Sequence, residues 1–472
     1  METIGAMDAI NEALTWLNGY LWGWPMVVLL LGTHLYLTVR LRFIQRHIPL
    51  AVRLSVTRDP GAQGDVSQFG ALTTALAATI GTGNIVGVAT AVALGGPGAV
   101  LWTWLTGVFG IATKYAEALL AVKYRVKTSD GTMLGGPMYA LERGLGQRWL
   151  GILFASFTAV AAFGIGNMVQ ANSIAELARE TAGIQPWVTG IVLTVLTALV
   201  ILGGIRWIAQ VCERVVPFMA AGYVAGCMVI LALGWKTIPQ TLLLIISSAF
   251  TGQAAVGGFA GATVMMAARY GTARGLFSNE SGLGSAAIVA AAAQTRNPVR
   301  QALVSSTGTF WDTVVVCAMT GLVVVNTGAW REGLTGAALT HASFERIPVI
   351  GSAVLTFGLL TFVFTTIIGW EYYGERAVEY LFGKKAIVPY RVAWVAAVML
   401  GSLVALHVVW NFADAANALM AIPNLVALLL LGGVIVRETE SYLWSGRLDE
   451  ATPPEEGRKE SALQGQERGP DR

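Results

Sequence analysis

The sequence predicts an all-α polytopic membrane protein with eleven transmembrane helices, one extra N-terminal helix ahead of a five-plus-five inverted-repeat core that contains two broken helices. Three observations predict it. The 472 residues are 55% hydrophobic and 12% charged, with a mean hydropathy of +0.61, a balance that excludes ordinary soluble enzymes. Eleven stretches hold the roughly 20 apolar residues needed to cross ~30 Å of hydrocarbon. Two of them are interrupted by Gly-rich breaks, Gly81-Thr82-Gly83-Asn84 and Gly282-Leu283-Gly284-Ser285.

The expected spans lie near 21–40, 68–94, 98–122, 150–177, 187–209, 211–233, 255–294, 299–326, 348–373, 389–409 and 414–436. The first follows twenty residues without Lys or Arg and precedes a loop with Arg40, Arg42, Arg46, Arg53 and Arg58. The positive-inside bias therefore puts the N-terminus outside and this loop in the cytoplasm. Alternation then places Lys123, Arg125, Lys127, Arg143, Arg148, Arg206, Arg214, Arg296, Arg300, Arg376, Lys384 and Lys385 inside. Only Arg179, Lys236, Arg331 and Arg346 are scattered among the outer loops, and the C-terminus is expected in the cytoplasm. The segment before the first span has no basic n-region and the span no A-x-A site, so it is expected to be retained rather than cleaved. Cys212, Cys227 and Cys317 fall in or beside apolar spans without metal-ligand spacing, which indicates neither disulfide nor zinc.

Three regions follow: 1–62, an N-terminal periplasmic segment, the first helix and its basic loop; 63–436, the ten-helix core; and 437–472, a Pro-, Glu-, Gly- and Arg-rich tail expected to be disordered in the cytoplasm. The loop Gly135-Gly136-Pro137-Met138-Tyr139-Ala140-Leu141-Glu142-Arg143 predicts a short amphipathic helix on the inner membrane surface. With the first span set aside, the two halves of five each begin at a break, and an odd number of spans per half inverts one half relative to the other. Such paired interruptions mark a midplane ligand site in secondary transporters. With 55 glycines in the chain, close helix packing is the alternative explanation.

Unwinding a helix at membrane depth frees N–H and C=O groups that each cost several kcal/mol unpaired, so a ligand is expected to satisfy them. The helix N-terminus after a break suits a carboxylate; the carbonyls before it suit a cation or an ammonium. Gly81 and Gly83 leave room for close approach. Around the second break, Phe277 is a candidate lid, and Ser278, Asn279 and Ser281 bring polar groups to membrane depth. Arg274 and Glu280 are functional candidates there or a structural ion pair at the cytoplasmic end. Thr365-Thr366 can give two hydroxyl oxygens to a hard cation or bond back to their own helix. Asp312 reads as a cation ligand or a satisfied buried carboxyl, and Gln170 as a substrate contact or a helix–helix contact.

At these residues the chain resembles the alanine or glycine:cation symporters, also called the sodium:alanine symporter family, from about residue 65 to 435. The resemblance is carried by Gly95-Gly96-Pro97-Gly98-Ala99-Val100-Leu101-Trp102-Thr103-Trp104, Gly135-Gly136-Pro137-Met138-Tyr139, and Phe277-Ser278-Asn279-Glu280-Ser281-Gly282-Leu283-Gly284-Ser285-Ala286. Departures from the family pattern fall at Leu101, Thr103 and Ser281. It implies the leucine-transporter fold and uptake of alanine or glycine coupled to sodium by alternating access, in a bacterial plasma membrane, with no cofactor and no nucleic-acid partner. It also implies a sodium site at Ala77, Ile80, Thr365 and Thr366 and a second candidate cation site at Thr79, Asn84, Ser278 and Asp312. Substrate contacts would come from Thr82, Gly83, Gln170, Phe277, Ser278, Asn279 and Trp370. Some members are proton-coupled; Asn84, which has no proton to give up, favours sodium. Two other classes stay open. An intramembrane serine hydrolase would use Ser278, Ser281 or Ser285, but His34, His47, His341 and His407 all lie outside the breaks. A channel would conduct without saturable exchange.

Overall fold

A computed structural model describes residues 2–57, 59, 62–251, 264–347, 349–404 and 406–451. Among them the chain is helical apart from one hairpin, β1 (Val126–Lys127) antiparallel to β2 (Met133–Leu134), and an isolated bridge between Val66 and Ala293. Among the described residues, seven helices are long and apolar enough to cross a membrane, and two bent pairs raise the number to nine. Large apolar side chains such as Leu199, Phe218, Leu233 and Val392 face outward, as lipid-facing residues do.

The first bent pair is α1 (Glu2–Leu21) and α2 (Trp24–Arg40), which meet at 50°. Pro25 sits in the first turn of α2, where its missing N–H costs nothing. Residues 2–20 are therefore helical ahead of the expected first span. Asn18 donates to the Asn411 carbonyl (2.8 Å) and the Trp22 indole N–H to that of Asp414 (3.1 Å), which ties this helix to the bundle. A lack of Lys and Arg carries topological information; it does not forbid a helix.

After α3 (Ile48–Ser55), the second bent pair is α4 (Gln68–Thr79) and α5 (Gly83–Gly95), at 51°. Ser67 starts α4 by accepting from the Gly70 N–H at 2.8 Å. Next come α6 (Ala99–Lys123) and α7 (Pro137–Tyr139), which continues as a wider turn to Gly144. Residues 135–141 are all buried. The expected surface helix is thus an interior wedge: a Cβ on Gly284 would lie 2.4 Å from the Pro137 ring. Its apolar face meets protein rather than lipid.

One span contains α8 (Arg148–Ala161) and α9 (Val169–Ala182), joined by π-helical turns over Ala162–Met168. The shorter α10 (Pro186–Ile201), the long α11 (Gly204–Leu233) and α12 (Ile238–Thr251) follow; α12 was not expected from the sequence. The predicted span 255–294 is α13 (Val264–Asn279), a break, and a short α14 (Ser285–Ala290), while 255–263 lies outside the described residues. The remaining elements are α15 (Pro298–Thr309) joined to α16 (Ala318–Thr327) through π-helical Phe310–Cys317, then α17 (Gly336–Glu345), α18 (Ile350–Phe382), α19 (Ile387–Leu403), α20 (Leu406–Leu430) and α21 (Gly432–Thr439).

The tail is not disordered where 437–472 begins. Residues 437–451 fold back along the end of the bundle that carries the basic loops, because their polar groups have partners there. Glu438 pairs with Lys123 (2.8 Å), Thr439 bonds Tyr115 (2.8 Å), Asp449 pairs with Arg300 (2.6 Å), and Asn297 donates to the Leu448 and Glu450 carbonyls. The expected disorder of 452–472 falls outside the described residues.

Candidate functional site

The first break opens where Ile80 turns extended (φ −76°, ψ 90°) and α4 cannot continue. Its freed groups already have protein partners. The Gly81 N–H donates to Asn84 Oδ1 (2.8 Å), the Thr82 N–H donates to Gln170 Oε1 (3.0 Å), and Thr366 Oγ1 donates toward the Ala77 and Ile80 carbonyls at 3.0 and 3.2 Å. Side chains, rather than a ligand alone, satisfy the unwound backbone; this corrects the sequence expectation. An unpaired buried polar group costs as much between binding events as during them.

The two neighbouring threonines separate. Thr366 crosses to the break, whereas Thr365 bonds back to Thr361 and Phe362 carbonyls (3.0 and 3.1 Å) and touches Met219 on α11. Three oxygens of the expected four, from Ala77, Ile80 and Thr366, therefore converge. Gly369 makes this approach of α18 to α4 sterically feasible, since a Cβ there would lie 2.9 Å from the Ala78 nitrogen.

A second polar cluster gathers around Asp312, which is fully buried. Its carboxylate accepts from Asn84 Nδ2 (2.7 Å), Ser278 Oγ (2.9 Å) and Thr313 Oγ1 (2.6 Å). Asn84, Ser278 and Asp312 thus meet as expected, joining α5, α13 and the π-helical segment. Thr79 does not join them; its hydroxyl turns back to the Leu76 carbonyl at 3.4 Å. Thr313 and Cys317 complete the cluster, with the Cys317 sulfur 3.1 Å from Ser278 Oγ. A π-helical turn rotates positions that a regular helix period sends elsewhere, so the pattern gave no sign of them.

Phe277 lies against the first break, with its ring edge 2.9 Å from where a Cβ on Gly83 would stand, and it stacks on Trp410 (centroids 4.8 Å apart). Above this pair Arg274 meets Asp414 through two contacts of 3.0 and 2.5 Å. The expected Arg274–Glu280 pair is therefore absent. Six residues apart, the two point to different faces, and Glu280 lies beyond the end of α13. Gln170 reaches the break but is anchored by donating to the Ile165 carbonyl (2.8 Å). Trp370 is buried against Gly166 and edge-on to Tyr373 (5.3 Å). Asn279 faces the other way: its Oδ1 caps the second break at the Ser281 N–H (2.8 Å) and its amide points to Thr106 on α6.

The second break is held by α6 and α20. Glu280 has φ +56°, Gly282 +108° and Gly284 +80°, a run that only glycine adopts without strain at its last two positions. Glu117 Oε1 accepts from the Gly282 and Gly284 N–H groups (2.8 and 3.1 Å) and from Asn424 (2.7 Å), while Asn424 also donates to the Gly282 carbonyl (2.8 Å). Glu280 Oε2 accepts from Ser285 (2.5 Å). At the basic-loop end, the two broken spans are zipped together: Asp65 and Val66 N–H groups donate to the Ala292 carbonyl and Gln294 N–H to that of Val66. A cleft of ≈ 740 Å³, lined by Asp59, Asp65, Ser67, Arg206, Glu213 and Gln294 among others, opens beside this zipper.

The profile of the sodium:alanine symporter family matches residues 7–455 of this chain. The chain belongs to that family. It is a transporter, not an enzyme. An uncharacterized transporter of Haemophilus influenzae is 54% identical over 438 residues, covering 92% of this chain and 96% of the relative. The sodium/alanine symporter AgcS of Methanococcus maripaludis is 52% identical over 447 residues, covering 92% of this chain and 98% of AgcS. In fold, the chain is similar to MhsT crystallised with L-phenylalanine, with a TM-score of 0.57 at 14% identity over 82% of this chain and 96% of MhsT. That likeness shows a leucine-transporter-like fold.

Proposed function

We propose that this member of the sodium:alanine symporter family imports a small neutral amino acid, alanine or glycine, together with sodium by alternating access. The observation that carries the reading is the first break, where a hydroxyl from α18 crosses to the Ala77 and Ile80 carbonyls beside the buried turn at Gly81–Gly83. Carbonyl and hydroxyl oxygens are the ligands a hard cation prefers. The N-terminal turn of α5 faces the same place and suits a carboxylate. Sodium would take Ala77, Ile80 and Thr366; the substrate carboxylate would meet Thr82 and Gly83, beneath Phe277. Asn84, Ser278 and Asp312 form a second cation site in this reading. The name of the AgcS relative supports alanine as substrate.

Eleven spans result when α10 and the α13–α14 pair are counted with the nine, and the two broken spans then head inverted halves of five. Orientation is inferred from the Lys and Arg bias, with the basic loops and the zipped end in the cytoplasm. Arg274–Asp414 and the Phe277–Trp410 stack close the outer side of the breaks, and the ≈ 740 Å³ cleft opens on the inner side.

Uptake of labelled alanine into proteoliposomes should accumulate against its gradient when sodium is high outside, and competition by glycine, D-alanine and serine ranks the substrates. Uptake indifferent to a sodium gradient but driven by a proton gradient would replace sodium with a proton; conductance without counterflow would make it a channel. Thr366→Ala should raise half-saturating sodium about tenfold, equal to ~1.4 kcal/mol for one lost oxygen ligand, while maximal uptake at saturating sodium changes less. An unchanged sodium requirement would place the ion elsewhere. Thr365→Ala, whose hydroxyl bonds its own helix, is expected to shift sodium dependence by less than about twofold.

A further inference from the structure

We propose that Lys114 is a resident cation, a fixed ammonium whose charge opposes the coupling sodium at Asp312 and so sets how loosely that ion is held. This rests on the reading of Asn84, Ser278 and Asp312 as a cation site.

Gly107, Gly110, Lys114 and Glu117 recur at intervals of three and four along α6 and share one face. That face lies directly on the machinery. A Cβ on Gly107 would come within 2.6 Å of Thr313, the neighbour of Asp312; one on Gly110 would come within 3.0 Å of Ser281 in the second break. Three residues beyond Lys114, Glu117 holds the Gly282 and Gly284 N–H groups. Lys114 therefore lies along the second break, on the face of α6 that runs from the Asp312 cluster at Gly107 to Gly282 and Gly284 at Glu117. It is 2% exposed, and neither its Nζ nor Glu117 Oε2 has a hydrogen-bond partner among the described residues.

An ammonium at membrane depth requires counter-charge. Its field reaches Glu117 on its own helix, Glu280 in the break, Asp312 on the π-helical segment and His34 on α2. Yet it forms no direct ion pair with any of the three carboxylates, unlike Arg274 with Asp414 or Arg300 with Asp59. A lysine kept for packing or stability would be expected to finish in such a pair. Held apart, its charge is shared by the three carboxylates, and part of the attraction that Asp312 offers an arriving cation is cancelled. In this weakly screened interior the repulsion between two cations acts over several ångströms. The consequence is useful for a carrier: an ion bound too tightly on one side is not released on the other.

Sodium dependence of alanine uptake in proteoliposomes tests this with Lys114→Met, Lys114→Arg, Asp312→Asn and the double variant Lys114→Met/Asp312→Asn. Lys114→Met should lower half-saturating sodium about fivefold to tenfold, and Lys114→Arg should stay within about twofold of the parent. Asp312→Asn should raise half-saturating sodium at least about tenfold, and in its background Lys114→Met should have no further effect. If Asp312→Asn shifts sodium dependence and Lys114→Met does not, the resident-cation proposal is overturned while the Asp312 site stands. If Asp312→Asn itself leaves sodium dependence unchanged, the cation-site reading is what fails. Should Lys114→Met not assemble, Lys114→Gln is read by thermal stabilisation of the detergent-solubilised protein with sodium. A shift to lower sodium supports the proposal; no shift, or failure of both variants to assemble, overturns it.

Discussion

Gly81→Ala is expected to abolish uptake, by at least about 100-fold, in a protein that still folds. The added Cβ would stand 2.6 Å from Thr366 Oγ1 and 3.1 Å from Gln170 Oε1. Those atoms are the two that reach the first break from α18 and α9. Overpacking of this kind costs ~1–3 kcal/mol, and the easiest relief is rotation of the Thr366 side chain away from the Ala77 and Ile80 carbonyls. Relief therefore dismantles the proposed sodium site, while most of the bundle is untouched. Uptake and size-exclusion profiles measured on the same preparation distinguish this from misfolding. A transporting Gly81→Ala variant would show that neither Thr366 nor Gln170 needs its present position. Gly83→Ala, which would press on the Phe277 ring at 2.9 Å, should act on substrate affinity instead, because an aromatic ring edge rather than a cation ligand has to move.

The other large effect is expected at Glu117, and on stability rather than transport alone. Glu117→Ala leaves the Gly282 and Gly284 N–H groups and the Asn424 amide without their shared acceptor, and removes a counter-charge from Lys114. At ~1–3 kcal/mol for each of the three buried groups left unpaired, the loss is on the order of 3–9 kcal/mol. Thermal unfolding in detergent should show a clear downward shift or no folded protein. Glu117→Gln keeps one carbonyl oxygen for the two backbone donors and should be milder. Equal behaviour of the two variants would mean that the carboxylate's hydrogen bonds are not what holds the second break.

Much of this was visible in the sequence, for physical reasons that differ between elements. The first break could be found because a Gly-Thr-Gly-Asn run contradicts its apolar surroundings, and lipid tolerates no unexplained polarity. Thr366 could be named but not told apart from Thr365, since two adjacent hydroxyls on a helix differ by 100° in direction and only the neighbouring helix decides which one is used. Glu117 was overlooked altogether. It sits in an apolar span beside Lys114, and its partners are backbone groups 165 and 167 residues away, which no local pattern reports. Arg274 was paired with the wrong acid because its true partner, Asp414, lies on α20, 140 residues on. Thr313 and Cys317 were hidden by the π-helical turn that brings them to the Asp312 cluster. Composition misjudged the tail for a related reason: a charge-rich segment cannot make its own core, but it can complete the surface of one already built.

That returned segment has a bearing on how the protein is made. Asn297 and Arg300 receive Leu448, Asp449 and Glu450 from 149 to 153 residues downstream, so the first turn of α15, which already has the Arg300–Asp59 pair, gains its last partners only when synthesis is nearly over. Until then Asn297 can serve just its own helix, through the Arg300 N–H (2.9 Å). A premature stop near residue 445 would spare every membrane-spanning helix described above, yet release a chain whose last assembly step never occurs. Quality control acting after insertion, rather than insertion itself, is where such a truncation would be caught.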